Sequence, residues 1–249
     1  AATAWYHGAL APGLRRRSLA RFLAEVEAFA LGDYARALMQ GDRLPAKERA
    51  RIAQTVARYT GLSVDYVERA DLRVEIWKFC KELLRGRGLV VGRLDSRLTG
   101  QEGRAVADSP EGDPSMAAIR PPYTAAFNDY VRRQLGHQTD RTYEILGGAY
   151  GKWDWGKGNQ FTDTAGALRQ ALTRNPHLKV FVASGYYDLA TPFVACEYTF
   201  SHMGIPASLR GNLEIAYYES GHMMYIESGS LGKLKEDVAG FLARTLPRG

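Results

Sequence analysis

Two apolar segments decide the fold of this chain: residues 178–193 read LKVFVASGYYDLATPF, and residues 212–225 read NLEIAYYESGHMMY. Residues 180–183 form a continuous apolar run, which is typical of a strand buried on both faces of a parallel sheet. Residues 213–218 predict the next strand. Because helical patterns precede, separate and follow the two strands, the element order indicates parallel strands and an α/β fold.

Each predicted strand is followed by a residue suited to acid–base chemistry. Asp188 comes a few residues after the first strand, and His222 follows the second in a Gly-His-Met-Met-Tyr turn. The two are 34 residues apart, which is one strand-to-strand crossover. Since the carboxyl ends of neighbouring parallel strands meet at one edge of the sheet, we expect the pair to lie together there. A carboxylate in that position can hold the tautomer of an imidazole, as in a hydrolytic triad.

Both residues also have a purely structural interpretation. Asp188 could cap the following helix, but Thr191 and Pro192 already predict an N-cap and a first-turn proline, which leaves Asp188 available for another role. His222 alone could be a structural histidine bonded to the backbone, with Gly221 permitting a close approach. The occurrence of an acid and a base after adjacent strands favours the functional interpretation of both.

The chain contains no recognisable nucleophile for this pair. The order of acid before base near the C-terminus matches the Ser…Asp…His order of α/β-hydrolases, whose serine stands in a G-x-S-x-G turn. Ser184 stands in Ala-Ser-Gly and Ser230 in Gly-Ser-Leu-Gly, and both follow the wrong strand. Neither Cys80 nor Cys196 is well placed. We therefore expect the nucleophile outside this sequence.

Composition excludes several classes of protein. The 45% hydrophobic and 24% charged residues are ordinary for a globular chain, and no apolar run approaches the ~20 residues that span a bilayer. The net charge of +6 includes clusters such as residues 15–17. These clusters alternate with apolar helical positions and lack a nucleic-acid motif, so a solvated helix face is favoured over nucleic-acid binding. Two distant cysteines and histidines without ligand spacing predict no metal site.

The chain divides into three predicted parts. Residues 1–14 are short, apolar and aromatic, and are predicted to insert into a neighbouring core. Residues 15–120 are predicted to be mainly helical, with a short strand or hairpin at residues 88–100 between glycines. Residues 121–249 contain the two predicted strands, a helix at residues 125–135 after a proline pair, and a last helix that opens at Ser230.

The predicted sheet is incomplete. Two strands are too few for a stable parallel sheet, and the chain begins Ala-Ala-Thr-Ala-Trp, without an initiator methionine or a signal pattern. We expect the chain to be the C-terminal portion of a longer polypeptide. An upstream segment or a separate N-terminal chain would then cover the exposed strand edge.

The segments GYYDLATPF and ESGHMMY resemble the bacterial branch of the serine carboxypeptidase family. The resemblance extends to AATAWYH at the start, FNDYVRR at residues 127–133 and EYTFSHM at residues 197–203. It implies an α/β-hydrolase core with an inserted helical cap, Asp188 as the triad acid and His222 as the base. It also implies that Met223 lines the pocket for the leaving C-terminal residue of a peptide substrate.

The same resemblance implies elements that this chain does not contain. The family's serine stands in a Gly-Glu-Ser-Tyr-Gly turn, and its oxyanion hole and its acidic pair for the substrate carboxylate lie near that serine or before it. The isolated chain is therefore expected to be inactive. The resemblance further implies no metal or organic cofactor and a periplasmic or secreted location. Alternatives are an acyltransferase that uses the same triad, and a non-catalytic binding module.

Overall fold

The computed structural model describes residues 1–144, 149–154, 156 and 163–246. This part of the chain is a mixed helix-and-sheet structure of the α/β class, as predicted. Its α-helices are α1 (Ala2–Tyr6), α2 (Pro12–Arg15), α3 (Leu19–Phe29), α4 (Ala35–Gln40), α5 (Ala46–Thr60), α6 (Val64–Arg69), α7 (Ile76–Glu82), α8 (Pro114–Asp129), α9 (Ala149–Lys152), α10 (Ala165–Arg174), α11 (Phe193–His202) and α12 (Ser228–Thr245). Its strands are β1 (Leu89–Val91), β2 (Thr99–Gln101), β3 (Val180–Gly185) and β4 (Leu213–Tyr218). No described helix combines the length and the apolar content that a bilayer crossing requires.

The helical region is organised by ordinary start and stop signals. Ser18 and Ser63 open α3 and α6, where each hydroxyl accepts a backbone N–H of the first turn. A π-helical turn joins α3 to α4 without a break. Gly61 ends α5 at φ +75°, and a Cβ there would lie 3.0 Å from the carbonyl oxygen of Ala9. Glycine is therefore required at this end of α5, both for the left-handed turn and for contact with the N-terminal residues.

A hydrophobic core joins the N-terminal residues, helices α2 to α7 and the residues that follow β3. Ala4 from α1, Phe22 from α3 and Ile52 from α5 are fully buried in it, and Tyr187 enters from the residues after β3. The short N-terminal segment thus inserts into a core made by other elements. This shared core fixes the loop after β3 against the helical region.

The two small sheets have the predicted positions. β1 pairs antiparallel with β2, and β3 pairs parallel with β4 from Val180 opposite Leu213 to Gly185 opposite Tyr218. The expectation that residues 180–183 are buried on both faces was wrong, because all four are only partly buried. In the described residues no third strand pairs with β3 or β4, so both outer edges of this sheet are open.

The helix predicted at residues 125–135 begins much earlier. Asp113 caps α8 by accepting the N–H of Ser115, and α8 continues through Pro121 and Pro122. Proline lacks the N–H that would bond to the carbonyl four residues earlier, so the carbonyls of Ala117 and Ala118 lose their helical donors. Both alanines are exposed, and water can satisfy these carbonyls at the surface.

The last helix also begins before the expected residue. α12 starts at Ser228, and Glu227 rather than Ser230 provides its cap, because its carboxylate accepts the N–H groups of Gly229 and Ser230. These hydrogen bonds lower the pKa of Glu227 to about 2. Phe241 of α12 packs against Phe181 of β3 with ring centres 5.5 Å apart, which covers part of the sheet.

Candidate functional site

Three loops meet at the carboxyl end of the parallel sheet. The loop after β3 is joined to the loop after β4, because the N–H of Tyr187 donates to the carbonyl of Ser220 at 3.0 Å. The loop between β1 and β2 closes the group, since the N–H of His222 donates to the carbonyl of Leu94 at 2.7 Å. The backbone therefore fixes where the side chains after β3 and β4 lie.

Two glycines allow the loops to approach this closely. A Cβ at Gly185 would lie 2.4 Å from the carbonyl oxygen of Gly221, and a Cβ at Gly221 would lie 2.5 Å from the carbonyl oxygen of Leu94. Real Cβ atoms do not come so near to backbone oxygens. Glycine at both positions is therefore a steric requirement of the site, as the sequence predicted for Gly221.

The carboxylate of Asp188 is buried, and both of its oxygens accept hydrogen bonds. Its Oδ1 accepts the N–H groups of Ala190 at 2.7 Å and Thr191 at 2.9 Å, and its Oδ2 accepts the hydroxyl of Thr191 at 2.6 Å. The expectation that Thr191 caps the next helix and relieves Asp188 of a structural role was wrong. α11 begins at Phe193 with Pro192 at its N-cap, and that cap has no side-chain hydrogen bond. Asp188 itself holds the turn that leads into α11.

The structure brings Asp188 and His222 together. Nδ1 of His222 lies 2.8 Å from Oδ2 of Asp188, and the Asp188 side chain is 5% exposed while that of His222 is 44% exposed. A carboxylate only accepts hydrogen bonds, so Nδ1 carries the proton and Nε2 keeps its lone pair. The buried acid thus orients the imidazole through Nδ1, and no described residue hydrogen-bonds to its basic Nε2.

Arg97 stiffens this arrangement, and sequence reasoning missed it. Its Nε and Nη2 donate to the two carboxylate oxygens of Asp95 at 3.0 and 2.7 Å. The same guanidinium donates to the carbonyl of Glu219 at 2.6 Å and to the hydroxyl of Ser220 at 2.9 Å, three and two residues before His222. It also lies 5.5 Å from the ring centre of Tyr187. Arg97 therefore ties the β1–β2 loop to the loops that carry both Asp188 and His222.

A cavity of about 450 Å³ opens beside His222. Met223, which follows the base in the chain, lines this cavity. Much of the remaining wall is apolar and is provided by Met116, Ile119, Tyr123, Phe127 and Tyr143. Sequence reasoning missed the part of this wall that α8 provides before residue 125, because a proline pair predicts the boundary of a helix rather than its interior.

The serines considered from sequence do not lie at the base. Ser184 is a buried residue of β3, and Ser230 is buried in the first turn of α12. Within the described residues, no serine or cysteine side chain hydrogen-bonds to His222. Thr191 approaches Nδ1 at 3.2 Å, but its proton goes to Asp188. This part of the chain supplies an acid and a base without a nucleophile.

The two cysteines are separate and free. Cys80 is buried, and desolvation raises the pKa of its thiol to about 12, so it is a poor source of thiolate. Burial also raises the pKa of Cys196. Both thiols are therefore suited to packing rather than to nucleophilic attack at neutral pH.

Two of the other histidines, His7 and His202, have structural side-chain contacts. His7 pairs through Nε2 with the carbonyl of Ser96 at 2.7 Å, and burial lowers its pKa. His202 stacks on the ring of Tyr198 with centres 3.8 Å apart. Among the described residues, no group of three or more histidine, cysteine, aspartate or glutamate side chains is arranged to hold a metal ion. Asp188 and His222 are the acid–base pair on which a functional argument can be built.

No protein-family model, curated protein sequence or solved structure matches this chain.

Proposed function

We propose that this chain is the C-terminal part of a serine carboxypeptidase with an α/β-hydrolase fold, in which Asp188 and His222 are the acid and the base of the triad. One observation carries the proposal: a buried carboxylate binds Nδ1 of a half-exposed imidazole at the carboxyl ends of adjacent parallel strands. That geometry leaves Nε2 facing outward as a base, which is its role in a Ser-His-Asp triad. The family resemblance supports the same assignment.

The reaction follows from these two groups and an incoming serine. Nε2 of His222 takes the hydroxyl proton as the serine oxygen attacks the carbonyl carbon of the last peptide bond. Asp188 stabilises the resulting imidazolium through the 2.8 Å hydrogen bond to Nδ1. The imidazolium then gives its proton to the leaving amine, and the C–N bond breaks to form an acyl-enzyme. Water activated by the same base hydrolyses that ester and restores the serine.

The serine must come from an upstream segment of the same polypeptide or from a separate N-terminal chain. In the described residues β3 and β4 have open outer edges, which are the places where further parallel strands would pair. The leaving C-terminal residue of the peptide would occupy the cavity beside His222, against Met223. This chemistry requires no metal and no organic cofactor. A periplasmic or secreted location is part of the proposal and rests on the family resemblance.

The test uses a protein in which this chain is joined to its upstream segment. Release of the C-terminal residue from N-blocked dipeptides is measured for the parent, for His222→Ala and for the matched control His202→Ala. We expect His222→Ala to lower kcat about 10³–10⁴-fold or more, while His202→Ala, on the exposed end of α11, changes it less than about twofold.

Two results would contradict the proposal. Undiminished peptide release by His222→Ala would remove His222 from the mechanism. An upstream segment without a serine in a strand-to-helix turn would instead favour the non-catalytic binding module. If that serine is present but the acyl group passes only to an alcohol and never to water, the protein is an acyltransferase with the same triad.

A further inference from the structure

The β1–β2 loop binds the main chain on both sides of Asp188. One residue before the acid, the carbonyl of Tyr187 accepts the N–H of Ser96 at 3.0 Å. One residue after the acid, the N–H of Leu189 donates to the carbonyl of Arg93 at 3.0 Å. The backbone that presents the carboxylate is therefore held by the β1–β2 loop as well as by β3.

Ser96 also binds the loop of the acid through its side chain. Its hydroxyl donates to the same carbonyl of Tyr187 at 2.9 Å. A hydroxyl has one proton, so the Ser96 oxygen must accept the hydrogen bond that joins it to the hydroxyl of Thr3 at 2.7 Å. Ser96 is 0% exposed and Thr3 is 1% exposed. A buried series of hydrogen bonds, the Thr3–Ser96–Tyr187 network, thus runs from α1 to the carbonyl that precedes the acid.

His7 holds Ser96 from the side of its backbone. Nε2 of His7 lies 2.7 Å from the carbonyl oxygen of Ser96, and because a carbonyl only accepts, Nε2 carries the proton. The carbonyl of His7 in turn accepts Nη1 of Arg87 at 3.2 Å. Between Thr3 and His7 in the chain, Tyr6 lies edge-on to the ring of Tyr187 with centres 5.3 Å apart. The N-terminal segment therefore makes specific polar contacts to the loops of the site and does not only fill the core.

We infer that Ser96 is a positioning residue for Asp188, and that Thr3 and His7 act on the acid through it. A buried polar network in which every member has its partner fixes one arrangement of the backbone, and the loss of one member leaves another polar group unpaired. The inference rests on the proposed function, in which Asp188 is the acid of the triad. It gives the N-terminal segment a part in setting the geometry of the acid and the base.

Amide hydrogen exchange of this chain tests the inference without the nucleophile. The N–H groups of Ala190 and Thr191 donate to Oδ1 of Asp188, so their protection against exchange reports how firmly the acid is held. Ser96→Ala removes the hydroxyl from the network and should lower this protection about tenfold. Thr3→Val leaves the hydroxyl of Ser96 in place without its donor, so it should lower the protection less, by about three- to fivefold.

Three further variants separate the network from packing. Thr3→Ser keeps the hydroxyl and loses only a methyl group, so it should stay within about twofold of the parent. The double variant Thr3→Val/Ser96→Ala should be no worse than Ser96→Ala alone, because in that background Thr3 has lost its acceptor. Thr60→Val is the matched control, since the hydroxyl of Thr60 donates to the carbonyl of Val56 within α5 at 2.7 Å. It should change protection at the acid less than about twofold.

Kinetics of the protein completed by its upstream segment provide a second measurement. Ser96→Ala should lower kcat for N-blocked dipeptides about tenfold and leave KM within about twofold, because the network acts on the acid and not on the bound peptide. His7→Leu removes the donor to the carbonyl of Ser96 at a half-buried position, and should lower kcat about threefold. It tests the same network if the variants of the two buried residues do not fold.

The outcomes separate this inference from the proposed function. Unchanged protection in Ser96→Ala, equal losses in Thr3→Ser and Thr3→Val, or additive losses in the double variant would overturn the positioning role. An effect of Thr60→Val as large as that of Thr3→Val would do the same. Peptide release with a parental kcat in Ser96→Ala would overturn the positioning role and leave the proposed function intact. Absence of peptidase activity in the completed protein, with the expected changes in exchange, would overturn only the proposed function.

Discussion

The hydroxyl of Thr191 donates a hydrogen bond to Oδ2 of Asp188 over 2.6 Å, and the same oxygen accepts the Nδ1 proton of His222 over 2.8 Å. Two donors therefore converge on one carboxylate oxygen, while the other oxygen holds two backbone N–H groups. Thr191 acts on the base through the acid, which makes it a positioning residue of the site. Pro192 follows Thr191 in the chain, and a threonine before a proline predicts only a helix cap.

Replacement of Thr191 by valine should weaken this positioning. Thr191→Val keeps the shape of the side chain but removes the hydroxyl, so Asp188 loses one donor and His222 gains freedom to rotate. We expect kcat of the completed protein to fall about tenfold, and the free energy of unfolding to fall by about 1 kcal/mol. Kinetics on blocked dipeptides and urea denaturation measure the two effects.

The control for that prediction is Thr199→Val. Thr199 is an exposed residue of α11 whose hydroxyl bonds only to the carbonyl of Ala195. Equal kinetic effects of the two variants would show that Thr191 has no special relation to the acid.

Replacing Asp188 by alanine should lower the free energy of unfolding more than replacing His222 by alanine. Asp188→Ala leaves the buried N–H groups of Ala190 and Thr191 without their acceptor, so the free energy of unfolding should fall by about 1–3 kcal/mol. His222→Ala removes a half-exposed ring and should cost less than about 1 kcal/mol. Chemical denaturation of this chain measures both values without any assay of activity. Similar costs for the two variants would mean that Asp188 does not hold the turn before α11.

Gly221→Ala should disrupt the contact between the loop after β4 and the β1–β2 loop. The new Cβ would lie 2.5 Å from the carbonyl oxygen of Leu94 and 2.5 Å from the Cβ of Asp95, and Asp95 is held in place by Arg97. We expect a loss of about 2 kcal/mol or more in the free energy of unfolding. The hydrogen bond from His222 N–H to Leu94 should lengthen, which NMR of that amide detects.

Gly232→Ala is the matched control for the steric argument. Gly232 lies inside α12, and a Cβ there meets no atom within 4 Å. Alanine has a higher helix propensity than glycine, so this variant should have a free energy of unfolding about 0.5–1 kcal/mol higher than the parent. A destabilised Gly232→Ala together with a tolerated Gly221→Ala would contradict the assignment of Gly221 as a contact glycine.

The features that could be predicted from sequence depend on local pattern and simple topology. Residues 213–218 were identified as a strand because they form an apolar run between helical patterns, and the structure has β4 at those residues. The meeting of Asp188 and His222 followed from one rule, that adjacent parallel strands end at the same edge. Neither inference needed knowledge of distant contacts.

The features that could not be predicted depend on contacts between distant residues. Arg97 bonds to Glu219, 122 residues later in the chain, and no periodicity marks such a pair. The position of α8 was missed for a different reason. Pro121 and Pro122 are strong local signals for a helix boundary, yet a helix tolerates them where the carbonyls that lose their donors face water. The cavity wall that α8 provides was missed as a consequence.

Lys81 and Glu102 form a buried ion pair that should control stability at acid pH. Nζ of Lys81 lies 2.8 Å from Oε2 of Glu102, with side chains 1% and 5% exposed, and it also donates to the carbonyl of Arg104 at 2.6 Å. The adjacent ammonium group of Lys81 lowers the pKa of Glu102. The unfolded chain therefore binds this proton first, so the stabilisation is present above about pH 4.3 and is lost as the pH falls through the lower pKa of the folded state.

Lys81→Met should reverse that dependence. At pH 7 it leaves a buried carboxylate without a cation, which costs about 3–5 kcal/mol of unfolding free energy. Without Lys81 the pKa of Glu102 should rise, because burial disfavours the charged form, and the variant should then gain stability as the pH falls from 7 towards 4. Denaturation curves between pH 3 and 7 test this.

Lys78→Met, at an exposed lysine of the same helix, should follow the parent curve within about 0.5 kcal/mol. The double variant Lys81→Met/Glu102→Leu should recover much of the loss, and failure to recover any of it would show that packing around Lys81, not its charge, is what the core requires.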